Sequence, residues 1–151
     1  MKNDIEVKQI STKETLPVRK KILKPFLREE ECVNPGDDLP TTYHFGLYKS
    51  GELVSIATFI YESHPEFSAG FPYRLRGMAT DSSVQGQGLG SQLLVYGVEF
   101  LRAKKCDFVW FNAREKAFSF YQKLGFIIHG PMFEIKDIGP HKVMYKHIIP
   151  K

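Results

Sequence analysis

Seven consecutive residues, Gln85-Gly86-Gln87-Gly88-Leu89-Gly90-Ser91, set three alternating glycines directly ahead of a helical pattern. Glycine removes Cβ atoms where main-chain N–H groups point outward. The first turn of a helix carries unpaired amides with partial positive charge, so an anion can approach that backbone closely. The chemistry this predicts is capture of a pyrophosphate; the competing reading is a flexible helix entry that holds nothing. Two related motifs fit less well. A Walker loop ends in Gly-Lys-Ser/Thr, whereas Gly90-Ser91-Gln92 has no lysine, which leaves phosphate transfer unsupported. The dinucleotide pattern is nearly matched by Gly86, Gly88 and Ser91. There, however, the first glycine follows its strand at once and an acid follows the next strand. Here Asp81-Ser82-Ser83-Val84 intervenes, and the strand expected over 108–111 ends in Asn112.

The other residues able to do chemistry are dispersed. Histidines stand at 44, 64, 129, 141 and 147 without a short pair, and Cys32 and Cys106 fit neither a disulfide framework nor zinc spacing. No metal is therefore expected, and the thiols read as reduced in a cytoplasmic setting. Cys106 follows Lys104-Lys105 at a helix end, where the dipole disfavours a thiolate, which argues against covalent catalysis.

The elements that must position these groups follow from periodicity and punctuation. A strand begins at Ile5 and Val7, and Thr12 with Thr15 can cap a helix through Leu16, Ile22, Leu23, Phe26 and Leu27, with Pro17 in its first turn. The stretch 29–42 reads as a loop too polar and broken for core structure. Strands over 43–48 and 53–61 flank Lys49-Ser50-Gly51-Glu52 as a hairpin, and another strand covers 73–80. Leu89, Leu93, Tyr96, Gly97, Phe100 and Leu101 recur at helical spacing. A right-handed crossover makes 108–111 parallel to 73–80. A second helix over 115–124 should bury Ala117, Phe120, Tyr121 and Leu124 and stop at Gly125. Strands around 126–129, 133–135 and 142–149 complete the chain.

Composition supports one ordinary folded domain. The 151 residues are 42% hydrophobic and 25% charged, with 21 Lys+Arg against 17 Asp+Glu for a net +4. Disorder and coiled coil are argued against, and a chain this long removes roughly 68–70% of its unfolded surface from water without staples. No apolar run approaches the ~20 residues of a membrane span. The charged start, Met1-Lys2-Asn3-Asp4-Ile5-Glu6, announces no export. The basic residues are spread out except for Arg19-Lys20-Lys21 with Lys24, which reads as the wet side of a helix, so no nucleic-acid partner is expected.

Two stretches together resemble the GCN5-related N-acetyltransferase (GNAT) family. Gln85-Gly86-Gln87-Gly88-Leu89-Gly90, after Met78-Ala79-Thr80-Asp81, is similar to its R/Q-x-x-G-x-G/A signature. Phe120-Tyr121-Gln122-Lys123-Leu124-Gly125-Phe126, after Asn112-Ala113, matches the second, one strand–helix–strand–helix unit later. The resemblance is strongest over 73–130. One departure is Gln85, where many members carry arginine; a charge is lost and the backbone cradle is kept.

The resemblance implies a GNAT-type α/β fold. This is a mixed, twisted sheet of six or seven strands, flanked by helices, with a V-shaped splay between two central parallel strands, forming a single acyl-CoA N-acyltransferase domain over 1–151. Acetyl-CoA would be the cosubstrate and would enter the splay. Main-chain groups at Met78, Ala79 and Thr80 would meet its pantetheine arm, and the turn Gln85, Gly86, Gln87, Gly88, Leu89, Gly90 and Ser91 its pyrophosphate. Asn112 would reach the cofactor arm with its side-chain amide.

Acetyl transfer needs a neutral amine, a polarised thioester carbonyl and a proton for the departing thiolate. Tyr121 is the implied acid. A main-chain N–H near Met78 or Ala79 would polarise the carbonyl, and Glu62, His44, His141 or a water chain could accept the amine proton. Arg74 and Arg76 share a strand face and either select an acidic acceptor or pair with local acids. The expected activity is direct transfer to an amine of a small molecule or protein. A catalytically weak acyl-CoA sensor is the alternative, and the aromatics near 67–73 could form a homodimer contact or a substrate wall.

Overall fold

Ser50 and Gly51, both at positive φ (51° and 83°), reverse the chain between two strands and so set the frame of the sheet. The flanking strands are β2, Tyr43–Lys49, and β3, Glu52–Tyr61, paired antiparallel from Tyr43↔Phe59 to Lys49↔Glu52. β1, Ile5–Ile10, pairs antiparallel with β2. The computed structural model describes residues 4–151, so Met1, Lys2 and Asn3 of the charged start lie outside the described residues.

The remaining strands are β4, Pro72–Thr80, β5, Phe108–Arg114, β6, Ile127–Ile135, and β7, Gly139–His147. Together they make a seven-stranded mixed sheet in the order β1-β2-β3-β4-β5-β7-β6. β4 and β5 are parallel over Pro72↔Phe108, Tyr73↔Val109 and Arg74↔Trp110.

By its internal contacts the chain divides into two compact units. One comprises residues up to Tyr61 with Leu75–Phe100, the other Glu62–Arg74 with Leu101–Lys151.

In the first unit, Ile10, Val18, Ile56 and Ala79 form a buried cluster with Ile22, Leu23, Tyr48 and Leu53 packed against it. Phe45 and Phe59 are fully buried, with Phe45 in edge-to-face contact with Tyr96 and Phe100 of α2, Leu89–Ala103. Each such aromatic contributes roughly 1.5–3 kcal/mol by leaving water.

The first helix differs from expectation at both ends. α1, Thr12–Val18, is capped by Ser11, whose Oγ accepts from the Glu14 N–H while the Glu14 carboxylate accepts from the Ser11 N–H. That reciprocal box satisfies two orphan donors and outcompetes Thr12 and Thr15 as caps. Thr15 instead turns inward and donates to the Thr12 carbonyl. Pro17 sits in the second turn, not the first, and removes an interior donor. Just past it the chain widens into a π-helical segment, Arg19–Leu23, and stops, so Phe26 and Leu27 lie beyond the helix and Phe26 is exposed. The loop after it also corrects the reading: Cys32, Asn34 and Asp37 are buried, because their polar atoms are paired inside.

In the second unit, β7 pairs antiparallel with both β5 and β6. The two short strands expected over 126–129 and 133–135 are one strand with a register shift between His129 and Phe133, where Gly130 adopts φ 79°. The helical stretch 115–124 opens with a 3₁₀ turn, Glu115–Ala117, and continues as α3, Phe118–Lys123. No residue of either piece is fully buried, so the expected buried face of Ala117, Phe120, Tyr121 and Leu124 is half-buried instead.

Candidate functional site

The glycine turn lies in the first unit and is shaped from both ends. Asp81 caps the 3₁₀ turn Ser82–Val84, its Oδ1 accepting from the N–H and Oγ of Ser83, and its Oδ2 accepts from Lys21 Nζ at 2.7 Å. The Lys21 bond, with those from Ser83, holds its carboxyl down at about 2. At the other end Leu89 is buried and starts α2, and the Gln92 N–H closes the first helical turn on the Gly88 carbonyl at 3.1 Å. Between these anchors residues 85–88 are exposed. Gly86 and Gly88 stand at φ 86° and 76°, and an added Cβ at either would meet nothing within 4 Å. Glycine is required there by backbone conformation, with open space outside it. The amides preceding Gln92 have no intrahelical partner, which is the property an anion cradle needs.

Two side chains of this turn are already engaged. Gln85 Nε2 donates to the Thr80 carbonyl at 3.1 Å, which ties the turn back to β4, and Gln87 Oε1 accepts from Lys49 Nζ at 2.6 Å. Lys49 and Lys21 therefore bring cationic charge beside the turn, and both were missed from the sequence. They are 38 and 60 residues from their partners, and only the fold brings them near.

On β4, Met78 and Thr80 are half-buried and Ala79 is buried. Ser55 Oγ donates to the Ala79 carbonyl at 3.2 Å and lies 2.9 Å from Thr80 Oγ1. The end of β4 is thus fixed to β3 through the Ala79 carbonyl. Gly77, one residue earlier, adopts φ 67° inside the strand.

The second unit holds the other candidates. Asn112 lies on β5 opposite Val143 and is half-buried. The Tyr121 ring packs on Phe111 and against Phe120 and Phe126. That apolar surround pushes its phenol up to about 12, against a smaller opposing pull from Arg114. Glu62 Oε2 pairs with Arg74 Nη1 at 3.2 Å, and its carbonyl accepts from Trp110 Nε1 at 2.9 Å. Arg74 also lies over the Trp110 ring at 4.9 Å, so this arginine pairs with a local acid. His141 is buried, and its Nδ1–H donates to the Gly139 carbonyl, which leaves Nε2 to accept a proton.

His44, in the first unit, has both ring nitrogens engaged. Nε2–H donates to the Asp37 carbonyl at 2.9 Å, and Nδ1 takes a hydrogen bond from Thr58 Oγ1 at 2.8 Å. Burial holds its pKa below the ordinary value. Burial likewise pushes the Cys106 thiol up to about 11, which leaves it protonated at neutral pH. Among the described residues no three His, Cys, Asp or Glu side chains group as metal ligands, and no helix is long and apolar enough to cross a membrane.

This architecture has close counterparts. YitI, an uncharacterised N-acetyltransferase of Bacillus subtilis strain 168, is 39% identical over 142 residues, covering 94% of this chain and 95% of its own. The crystal structure of Escherichia coli ElaA superposes with a TM-score of 0.74 at 22% identity, over 94% of this chain and 99% of that one. An aminoglycoside 6'-N-acetyltransferase complexed with coenzyme A superposes with a TM-score of 0.75 at 17% identity, over 97% and 98%. Residues 10–126 match the Acetyltransferase (GNAT) family as a whole, from the end of β1 through the glycine turn to the residue before β6. With that span matched and its two signatures on the expected elements, the chain belongs to the GNAT family of acetyltransferases.

Proposed function

We propose that this chain is an acetyl-CoA-dependent N-acetyltransferase. It passes the acetyl group directly to a primary amine of a small molecule or protein within a ternary complex, acting as one acyl-CoA N-acyltransferase domain in the cytoplasm. The single observation that carries the proposal is the turn Gln85–Ser91, exposed over residues 85–88. It has two glycines held at positive φ, open space outside them and unpaired helix amides behind them.

Gln85 and Gly86 lead into the cradle, the Gln85 N–H closing on the Ser82 carbonyl, and the amides of Gln87, Gly88, Leu89, Gly90 and Ser91 take the pyrophosphate. Met78, Ala79 and Thr80 offer main-chain groups to the pantetheine arm, and Asn112 offers its side-chain amide. Bound acetyl-CoA supplies the activated acyl group. Tyr121 donates toward the thiolate as the thioester breaks, and the amine proton leaves through Glu62, His141 or water.

A phenol at about 12 sits ~3.5 pKa units above an ordinary thiol, so complete transfer to a free thiolate would be uphill by about 5 kcal/mol. Tyr121 therefore works by hydrogen-bond donation in the transition state, concerted with bond breaking. The same weakness favours a second reading, a coenzyme-binding sensor with little turnover. An amine-panel screen for coenzyme A release, run beside calorimetric titration with acetyl-CoA, decides between them. Release with at least one amine supports the enzyme, tight binding with none supports the sensor, and absence of binding overturns both.

A further inference from the structure

The buried polar centre of the first unit lies outside the groups assigned above. Arg19 is 1% exposed and sits at the first residue of the π-helical segment that follows Pro17. Its Nη1 donates to Asp37 Oδ2 at 2.7 Å and to the Cys32 carbonyl at 3.0 Å. Its Nη2 donates to Asp37 Oδ1 and to Thr58 Oγ1, each at 3.0 Å. Asp37 also accepts from the Asn34 N–H at 2.7 Å. Thr58 passes the network on to His44, and His44 Nε2 returns it to the Asp37 carbonyl. The donors and acceptors close consistently: Thr58 Oγ1 accepts from Arg19 and donates to a neutral His44.

One guanidinium nitrogen, Arg19 Nε, is buried without a partner. It faces Gly77, where an added Cβ would lie 3.4 Å from Arg19 Nε, 3.7 Å from Asn34 Nδ2 and 3.8 Å from Arg19 Nη2. Gly77 holds φ 67° in the middle of β4, a conformation a strand does not adopt unaided. A fully buried ion pair is weak evidence for stability, since apolar packing of the same volume commonly serves as well, and its best-attested use is to specify one geometry. The backbone it borders here is the positive-φ residue Gly77, immediately before Met78.

We infer that Arg19, with Asp37 and Thr58, is a positioning residue for acetyl transfer. The guanidinium borders the side-chain-free position of Gly77, where a Cβ would lie 3.4 Å from Nε, and holds β4 in the positive-φ conformation that aims the Met78 main chain at the thioester carbonyl. The inference rests on the acetyl-transfer reading above, and no group in the network touches the reacting atoms. Because a misaimed donor loses transition-state stabilisation more than ground-state binding, loosening the network should separate polarisation from affinity.

Acetyl-CoA labelled with ¹³C at the carbonyl tests this without knowledge of the acceptor. In the wild-type chain the bound carbonyl signal should be displaced from that of free acetyl-CoA. Thr58→Val keeps the shape and removes the hydroxyl between Arg19 and His44. It should return the signal at least halfway to the free value, with the dissociation constant within about threefold. Thr58→Ser, which restores the hydroxyl, should rescue the signal. Should Thr58→Val not fold, Gly77→Asn perturbs the same contact from the β4 side, since asparagine tolerates positive φ.

A wild-type carbonyl signal equal to that of free acetyl-CoA overturns the inference. So does a variant that binds with the wild-type signal. Failure of the wild-type chain to bind acetyl-CoA overturns the acetyl-transfer reading itself, and is read before any variant is made.

Discussion

The Tyr121 ring lies 4.3 Å from that of Phe111, centroid to centroid, and this contact joins the helix carrying the proposed acid to the strand carrying Asn112. The acid is therefore held by packing rather than by a hydrogen-bonded partner, and its weak acidity comes from the same apolar contact.

Replacing Tyr121 by Phe keeps the ring contact and removes only the hydroxyl. Turnover should fall about 10²-fold with acetyl-CoA affinity unchanged, read from steady-state rates beside calorimetric titration. Because burial holds the phenol up at about 12, any alkaline loss of activity below that pH belongs to another group and should persist in Tyr121→Phe.

At Gly86 and Gly88 the expected penalty is conformational. A new Cβ meets nothing within 4 Å at either position, but left-handed φ costs a non-glycine residue roughly 1–2 kcal/mol. Gly86→Ala and Gly88→Ala should each weaken coenzyme A binding about tenfold, and asparagine should cost less than alanine. Equal binding by Ala and Asn variants would show that the backbone conformation of the turn does not matter to the ligand.

Gly97 answers to the opposite logic. On a helix, Gly→Ala ordinarily gains up to about 1 kcal/mol. Here the added carbon would lie 2.4 Å from Phe59 Cε1 and 2.8 Å from Cζ, in a ring that is fully buried. Overpacking of about 1–3 kcal/mol should win, so Gly97→Ala should lower the thermal midpoint by several degrees in calorimetry.

Stability should also fall with acid in two stages. Burial is the largest influence on His44 and lowers its pKa, so the unfolded chain binds the proton first. Its contribution is complete above the unfolded value near 6.5 and declines as pH falls below it. For Asp37, burial alone would raise the carboxyl, but the Arg19 guanidinium and the Asn34 amide outweigh it and hold it below 3.8. That contribution is lost only as pH falls past that value. The groups facing His44 are Asp37, Asp38 and Arg19. Denaturant midpoints between pH 7.5 and 5 should decline less in His44→Asn than in the wild type. His64→Asn should flatten the decline as well, since burial lowers that histidine too.

What could be read in advance was local. The hairpin at Ser50-Gly51, the spacing of Leu89, Leu93 and Leu101, and the alternating glycines at 86, 88 and 90 all declare themselves within one turn or one helix. Arg19 and Asp37 do not: they are 18 residues apart, and each looks like ordinary solvent-facing charge until the π-helical segment and the following loop close on each other. Lys49 reached Gln87 in the same unannounced way. The cap was a nearer miss, because Ser11-Thr12-Lys13-Glu14 carries the box pattern, yet Thr12 and Thr15 offer the same hydroxyl chemistry one and four residues on. The interruption in β6 hid because Gly130-Pro131 reads as a strand end, whereas pairing with β7 carries the strand past it.

That interruption matters at the margin of the sheet. β6 is the last strand in the order, and its ladder slips between His129 and Phe133, with a proline inside the gap. An incoming chain seeking main-chain partners along this border finds its row of donors and acceptors broken midway. Crowded solutions should accordingly stay free of fibrillar growth from this side.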